Sequence, residues 1–314
     1  MLRYVRGYFA LGVVFFLLAV HGLYGTLGGA LFIAWCLFRS PVTGNAGSGS
    51  SPLRSVISSF CRLSHKTSVE GICGAKLYLC GDVVAPAGER DVLLLLGPHP
   101  PEMLIPTYGY FMTTYLTRDM VVVIKSALLV LNPFLSWTLL ALGAAVPVSR
   151  ASTEKTRSWI ERWIKGKIRP GSGIVLFPDQ RWKPGRHKRD LVEYAKKIPG
   201  ISDWMRYTSV PRAGALIGVL EELRKAKEAG LNVRVVMSAF IPNVDLHSYK
   251  QAPNLIGASI FLHMKEIPFA EMPGPDEVHG WLNERCKEWN ALHAYHRGEM
   301  PLGRLVVVPK VREA

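Results

Sequence analysis

The sequence predicts an α/β domain built on a largely parallel mixed sheet flanked by helices, preceded by a hydrophobic membrane segment. Three observations point that way. From about residue 74 onward, short β-type apolar runs alternate with helical patterns. Between Arg6 and Arg39 there is no Asp, Glu, Lys or Arg. Four of the strand-like runs end in chemically pointed residues: His99, Lys125, Arg150 and the group Pro178, Asp179 and Arg181.

The N-terminal stretch is longer than the ~20 apolar residues that span a bilayer core. Its middle, "HGLYGTLGG", is rich in glycine, so two arrangements stay open: one long tilted span, or two short helices joined at the glycines. A cleaved signal peptide fits less well, because the apolar stretch is too long for its hydrophobic region and no small-residue cleavage site closes it. Residues 1–40 are therefore read as a membrane-attached helical segment. Residues 41–70 are read as a linker, on the small polar composition of "PVTGNAGSGSSP". Residues 71–314 are read as the globular domain.

Within that domain the expected strands are 91–96, 120–124, 144–148, 173–177, 233–240 and 260–267. Expected helices run from Ser152 to Lys167, from Ala213 to Ala229 and from Asp276 to His293. The second ends at Gly230, a helix-stop residue. Alternation of this kind argues for βαβ units and a mostly parallel sheet. The run from Ser126 to Ser149 is also uncharged, but Asn132-Pro133 breaks it and its end reads as a strand. A bilayer crossing there would put His99 and Arg150 on opposite faces of a membrane.

The chain of 314 residues carries 38 Lys and Arg against 24 Asp and Glu, a formal charge of +14, with 49% hydrophobic residues. A basic, apolar chain suits an anionic membrane surface or a phosphate-bearing substrate. Nucleic acid is excluded as the main partner, since no recognition motif or aromatic–basic interleaving is present. The 5 cysteines include no CxxC pair, so neither a disulfide framework nor a metal site is expected, and a reducing compartment fits.

Ligands of open α/β sheets bind outside the carboxyl ends of the strands. If the runs before His99, Lys125, Arg150 and Asp179 are parallel neighbours, one base and several cations share a rim. "SVPRAG" adds Arg212.

This layout resembles the glycerophospholipid acyltransferases, the lysophosphatidic acid acyltransferase family, from about residue 71 to the C-terminus. Pro98-His99 stands where the family has Asn-His. "VPVSR" matches its strand ending in Arg, giving Arg150. "FPDQRW" at 177–182 loosely matches Phe-Pro-Glu-Gly-Thr-Arg, and Val210-Pro211 matches its hydrophobic-Pro motif. The resemblance implies acyl transfer from acyl-CoA or acyl-carrier protein to a lysophospholipid hydroxyl, with no bound cofactor or metal. It implies His99 as general base and phosphate contacts at the motif positions Arg150, Asp179 and Arg181; with Lys125 and Arg212 from the strand-end layout these make up the expected phosphate-binding set. It also implies a membrane location, endoplasmic reticulum or bacterial inner membrane, with the site on the cytoplasmic face. The oligomeric state is left open.

Two departures matter. The family's Asp, five residues after His, is Leu104 here. Glu102 is the expected substitute orienter of His99, with Asp119 a second candidate. In the third motif, Asp179 replaces Glu and Arg181 comes one residue early. These changes keep a second reading in view: a catalytically silent relative that binds lipid or a partner protein.

Overall fold

The structure is a computed structural model that describes residues 1–38, 58–117, 119–125, 144–148, 153–179, 184–196, 198, 200–246, 248–299 and 311–313. The strands are β1 (Lys76–Gly81), β2 (Asp91–Leu96), β3 (Asp119–Lys125), β4 (Ala145–Val148), β5 (Ser172–Leu176), β6 (Asn232–Pro242), β7 (Ser259–Ile267) and β8 (Val311–Glu313). The α-helices are α1 (Leu2–Phe38), α2 (Ile105–Phe111), α3 (Thr153–Ile164), α4 (Pro184–Ala195), α5 (Ile201–Trp204), α6 (Gly214–Glu228) and α7 (Val278–His296).

The eight strands form a single sheet in the order β4-β3-β5-β2-β6-β7-β1-β8. The pairs β3–β4, β3–β5, β2–β5, β2–β6 and β1–β7 are parallel; β6–β7 and β1–β8 are antiparallel. The mixed, largely parallel sheet expected from the sequence is therefore present, and all six expected strands lie within a residue or two of their observed bounds. Two strands had no expectation. "KLYLCG" is short and its cysteine and flanking glycines blur the β signal, and β8 is only 3 residues long.

Covering both faces explains the central sequence. Val92 through Leu96 are each 0% exposed, which is why β2 reads as an unbroken aliphatic run. On one face, Val92, Leu94, Leu96, Val146, Val148 and Ile174 pack under α3, α6 and α7. On the other, Leu93, Leu95 and Val175 pack under α2 and the helical residues around Val69. Residues 58–63 are α-helical and run into a π-helical stretch, Ser64–Ile72, so this part of the expected linker has regular structure. Residues 39–57, the rest of that linker, and 126–143, the core of the second uncharged run, lie outside the described residues.

Of the two N-terminal arrangements, the structure has the continuous one: α1 is a single helix of 37 residues, roughly 55 Å long at 1.5 Å per residue. Its first turns dock on the domain through one polar side. Arg3 donates to the Pro253 carbonyl (3.1 Å), Arg6 to that of Ile72 (2.6 Å) and Tyr8 to that of Lys250 (3.1 Å). Gly7 permits the close approach, because a Cβ there would stand 2.5 Å from Pro253 Cα. The opposite side is apolar and uncovered, with Phe9 63% and Phe16 67% exposed.

Candidate active site

Strand register assembles the site. Leu96 of β2 is level with Leu176 of β5 and with Met237 of β6. Three residues beyond Leu96 and Leu176 come His99 and Asp179, so parallel pairing alone sets these loops side by side. Their contact is a hydrogen bond from the His99 backbone N–H to Asp179 Oδ1 at 2.7 Å. Asp179 is 2% exposed. Gly97 is required just before the turn: a Cβ there would lie 1.7 Å from the Ser238 carbonyl oxygen of β6.

The His99 ring is fixed from two directions. Its Nδ1 is 2.7 Å from the Pro100 carbonyl oxygen. A carbonyl only accepts, so Nδ1 carries the hydrogen of the neutral ring and Nε2 keeps its lone pair. The ring also tilts against Phe177, at 5.2 Å between centroids. Phe177 meets Tyr108 edge-on at 5.5 Å, and the Tyr108 hydroxyl is 2.9 Å from Ser238 Oγ. Burial pushes the Tyr108 phenol pKa up, so it remains a neutral hydrogen-bonding group in the wall.

Two cavities flank this turn. The smaller, about 40 Å³, is lined by His99, Glu102, Tyr207, Pro242, His293 and Arg297 among others. Helix α7 supplies its far wall. Asn290, 3% exposed, accepts from the backbone N–H groups of Arg206 (2.8 Å) and Tyr207 (2.7 Å) and donates to Thr208 Oγ1 (2.7 Å). That bracket holds the loop so that the Tyr207 ring stacks on His293 (5.3 Å) and under the Arg297 guanidinium (4.7 Å). His293 and Arg297 were not singled out in the sequence; they sit four apart on one helix face behind an apolar stripe, a pattern that reads as ordinary helix surface.

The larger cavity, about 270 Å³, opens at the ends of β3, β4 and β5, between Val123, Val148, Phe177 and Pro178 on the sheet side and Arg212 and His279 on the helix side. Phe177 is common ground: it walls this cavity and touches the His99 ring. Arg212 is exposed, and its backbone N–H donates to the Pro178 carbonyl at 2.8 Å. The Lys125 backbone pairs with Val148, so β3 ends at the same rim; its side chain, with Arg150 and Arg181, lies outside the described residues. His279, read from the sequence as unremarkable, belongs to this wall.

The structure places the remaining candidates as follows. Asp179, in the phosphate-binding set expected from the resemblance, is buried, and its carboxylate accepts from the His99 backbone N–H, which ties it to the His99 turn. Asp119, the second candidate orienter, begins β3 at the opposite end of the sheet and pairs with Arg169. Leu104, at the position of the family's acid, is 0% exposed and packs in the core. Glu102 does border the His99 cavity, half-buried at the start of a short 3-10 turn.

An α/β domain with its polar residues gathered at the carboxyl edge of a mixed sheet places the candidate site where open α/β sheets bind their ligands. Among solved structures, the crystal structure of the 1-acyl-sn-glycerophosphate (LPA) acyltransferase PlsC from Thermotoga maritima is similar, with a TM-score of 0.51 and 14% sequence identity over 92% of this chain and 96% of that one. At that identity the likeness is one of fold. No protein-family model matches the sequence, and no curated protein matches it either.

Proposed function

We propose that this protein is a membrane-bound O-acyltransferase that moves an acyl chain from acyl-CoA or acyl-carrier protein to the free hydroxyl of lysophosphatidic acid or a related lysophospholipid. The observation that carries the proposal is the tautomer of His99. With Nδ1–H donated to the Pro100 carbonyl, Nε2 is the nitrogen left to act as base.

The chemistry follows from that nitrogen. A hydroxyl is a poor nucleophile at neutral pH, and Nε2 takes its proton as the oxygen attacks the thioester carbonyl. The tetrahedral adduct collapses, the C–S bond breaks, and the imidazolium returns the proton to the leaving thiolate. The products are the ester and the free thiol, and no acyl-enzyme forms. The Pro100 carbonyl supports the ring in its charged interval, taking part of the work a carboxylate does in related sites.

Substrate binding falls to the larger cavity. Arg212 borders it and would hold a phosphate through charge-assisted hydrogen bonds, and the strands that precede Lys125 and Arg150 end at the same rim. Membrane attachment falls to α1. Its Leu2–Val20 window has a mean hydropathy of 1.5 and is only 11% buried, while Arg3 and Arg6 tie its start to the domain. The soluble thioester donor and the reducing environment implied by the free cysteines fit a cytoplasm-facing site on the endoplasmic reticulum or a bacterial inner membrane.

The test uses the full chain in detergent micelles or liposomes. Release of free CoA from acyl-CoA is followed with a panel of lysophospholipids, beside His99→Ala. Turnover is expected with at least one acceptor and is expected to fall about 10²- to 10⁴-fold in the variant. Equal turnover in both proteins would remove His99 as the base. Lipid binding without any turnover would make the chain a silent relative.

A further inference from the structure

Outside the His99 edge, the sheet carries a second group of side chains that the acyl-transfer reading does not use. Cys80 of β1 and His263 of β7 are direct partners in the parallel pair, and His296 closes the last turn of α7 above them. Their ligand atoms, Cys80 Sγ and one nitrogen from each imidazole, all lie within 4.8 Å of one another. We propose that Cys80, His263 and His296 form a zinc(II) site that fastens the C-terminal turn of α7 to β1 and β7.

Geometry is the main support. The two imidazoles face each other nitrogen to nitrogen, His263 Nε2 to His296 Nε2 at 2.5 Å. Both rings therefore aim a metal-binding nitrogen at one point, with a single proton able to sit between them. Tetrahedral zinc with Zn–N bonds of ~2.0–2.1 Å would hold two such nitrogens roughly 3.3 Å apart, and a thiolate at ~2.3 Å from the metal roughly 3.6 Å from each. Reaching that arrangement asks for side-chain shifts of about 1 Å and no backbone rearrangement.

The surroundings suit the ion. Cys80 is 1% and His263 8% exposed, whereas His296 is half-buried and gives a way in. His296 stacks on Phe261 at 3.8 Å, and Phe261 stacks on Tyr78 at 5.3 Å, so the shell beyond the ligands is aromatic. A thiolate with two imidazoles selects a borderline-soft transition metal; no carboxylate belongs to the set to favour magnesium or calcium. Burial holds both histidines neutral, His263 down to about 3 (with His296 adding to the effect) and His296 down to about 4, so a cation meets no positive charge on either ring at neutral pH. The Cys80 thiol, pushed up to about 11 by burial, would surrender its proton on binding, as metal-bound thiols do.

The site reaches the candidate active site through one helix turn. His293 of α7 and Arg297 at its C-cap flank His296, and both line the His99 cavity. An ion that pins His296 fixes the turn that carries them. The proposal does not depend on the identity of the transferred group.

The experiment is cobalt(II) and zinc(II) titration of the purified full chain, untagged and stripped with a chelator. Cobalt(II) is expected to bind one ion per chain with a near-ultraviolet thiolate-to-cobalt charge-transfer band, which zinc(II) bleaches by displacement, and zinc(II) is expected to raise the melting temperature. Cys80→Ser should abolish the band, and His296→Gln, at the half-buried position where folding is least at risk, should weaken binding by about 100-fold or more. A folded parent protein that shows no such band and no stoichiometric zinc overturns the site and leaves a histidine–histidine hydrogen bond in its place. A band that persists unchanged in Cys80→Ser overturns the ligand assignment.

Discussion

The two cavities along the carboxyl edge differ in what the fold invests in them. Around His99 the placement is dense with contacts: Asp179 on the backbone, Phe177 on the ring, Pro100 on Nδ1, and Asn290 bracketing the loop opposite. Around Arg212 the cavity is larger, about 270 Å³ against about 40 Å³, and its one described arginine is exposed. Fixing an atom to a fraction of an ångström suits a proton transfer. An exposed, long cationic side chain suits gripping a head group that arrives from a lipid surface. Under the proposed acyl transfer the difference separates chemistry from binding, and variants at each cavity test that division.

The sharpest break is at Asp179. Asp179→Ala removes the acceptor of a buried N–H and frees the His99 turn. The expected outcome is a fall in kcat of about 100-fold with KM little changed, together with a loss of about 1–3 kcal/mol of stability from the unsatisfied donor. Asp179→Asn keeps a carbonyl oxygen in place and should recover most of both. If instead Asp179 gripped substrate, KM would rise and Asn would not rescue it. Steady-state kinetics and urea melts on the two variants decide the point.

Much of this arrangement was legible in the chain, and the parts that were not share a cause. The aliphatic run "VLLLL" announced a doubly covered strand, and the pointed residues after four such runs announced a common rim, because parallel strands send their carboxyl ends one way. The pairing of Asp179 with His99 was hidden. It depends on β2 and β5 being neighbours in a particular register, and their separation of some eighty positions in sequence carries no trace of it. The Pro100 carbonyl was hidden for another reason: backbone acceptors have no residue signature, so the missing family acid drew attention to Glu102 and Asp119. The Cys80, His263 and His296 cluster escaped for the first reason again. Its members are spread over three elements with no metal-type spacing, and only the β1–β7 pairing brings them together.

A second, smaller effect sharpens the binding side. Arg212→Ala is expected to raise KM for a phosphorylated acceptor about tenfold, equivalent to ~1.4 kcal/mol, with kcat near that of the parent protein. Arg212→Lys keeps the charge but loses the fork, and should fall between the two. A variant that lowers kcat with KM unchanged would move Arg212 to the chemical side of the comparison.

The smallest expected change is the most discriminating, because it concerns the residue the sequence nominated to replace the missing acid. Glu102 shares the His99 cavity, yet the ring nitrogen that an orienting carboxylate would engage is already given to the Pro100 carbonyl. On that geometry Glu102→Gln, which keeps size and removes charge, should lower turnover less than about fivefold, under ~1 kcal/mol of transition-state stabilisation. Loss of a true orienting acid is a far larger matter, ~10⁴-fold in the serine-protease case. A drop of that order on changing Glu102 would mean that the ring turns to the carboxylate during the reaction, and that the backbone carbonyl holds it only at rest. The pH profile separates these outcomes: a bystander leaves the alkaline-rising limb set by His99 where it was, while an orienter, once neutralised, moves that limb to lower pH as the imidazolium loses its partner.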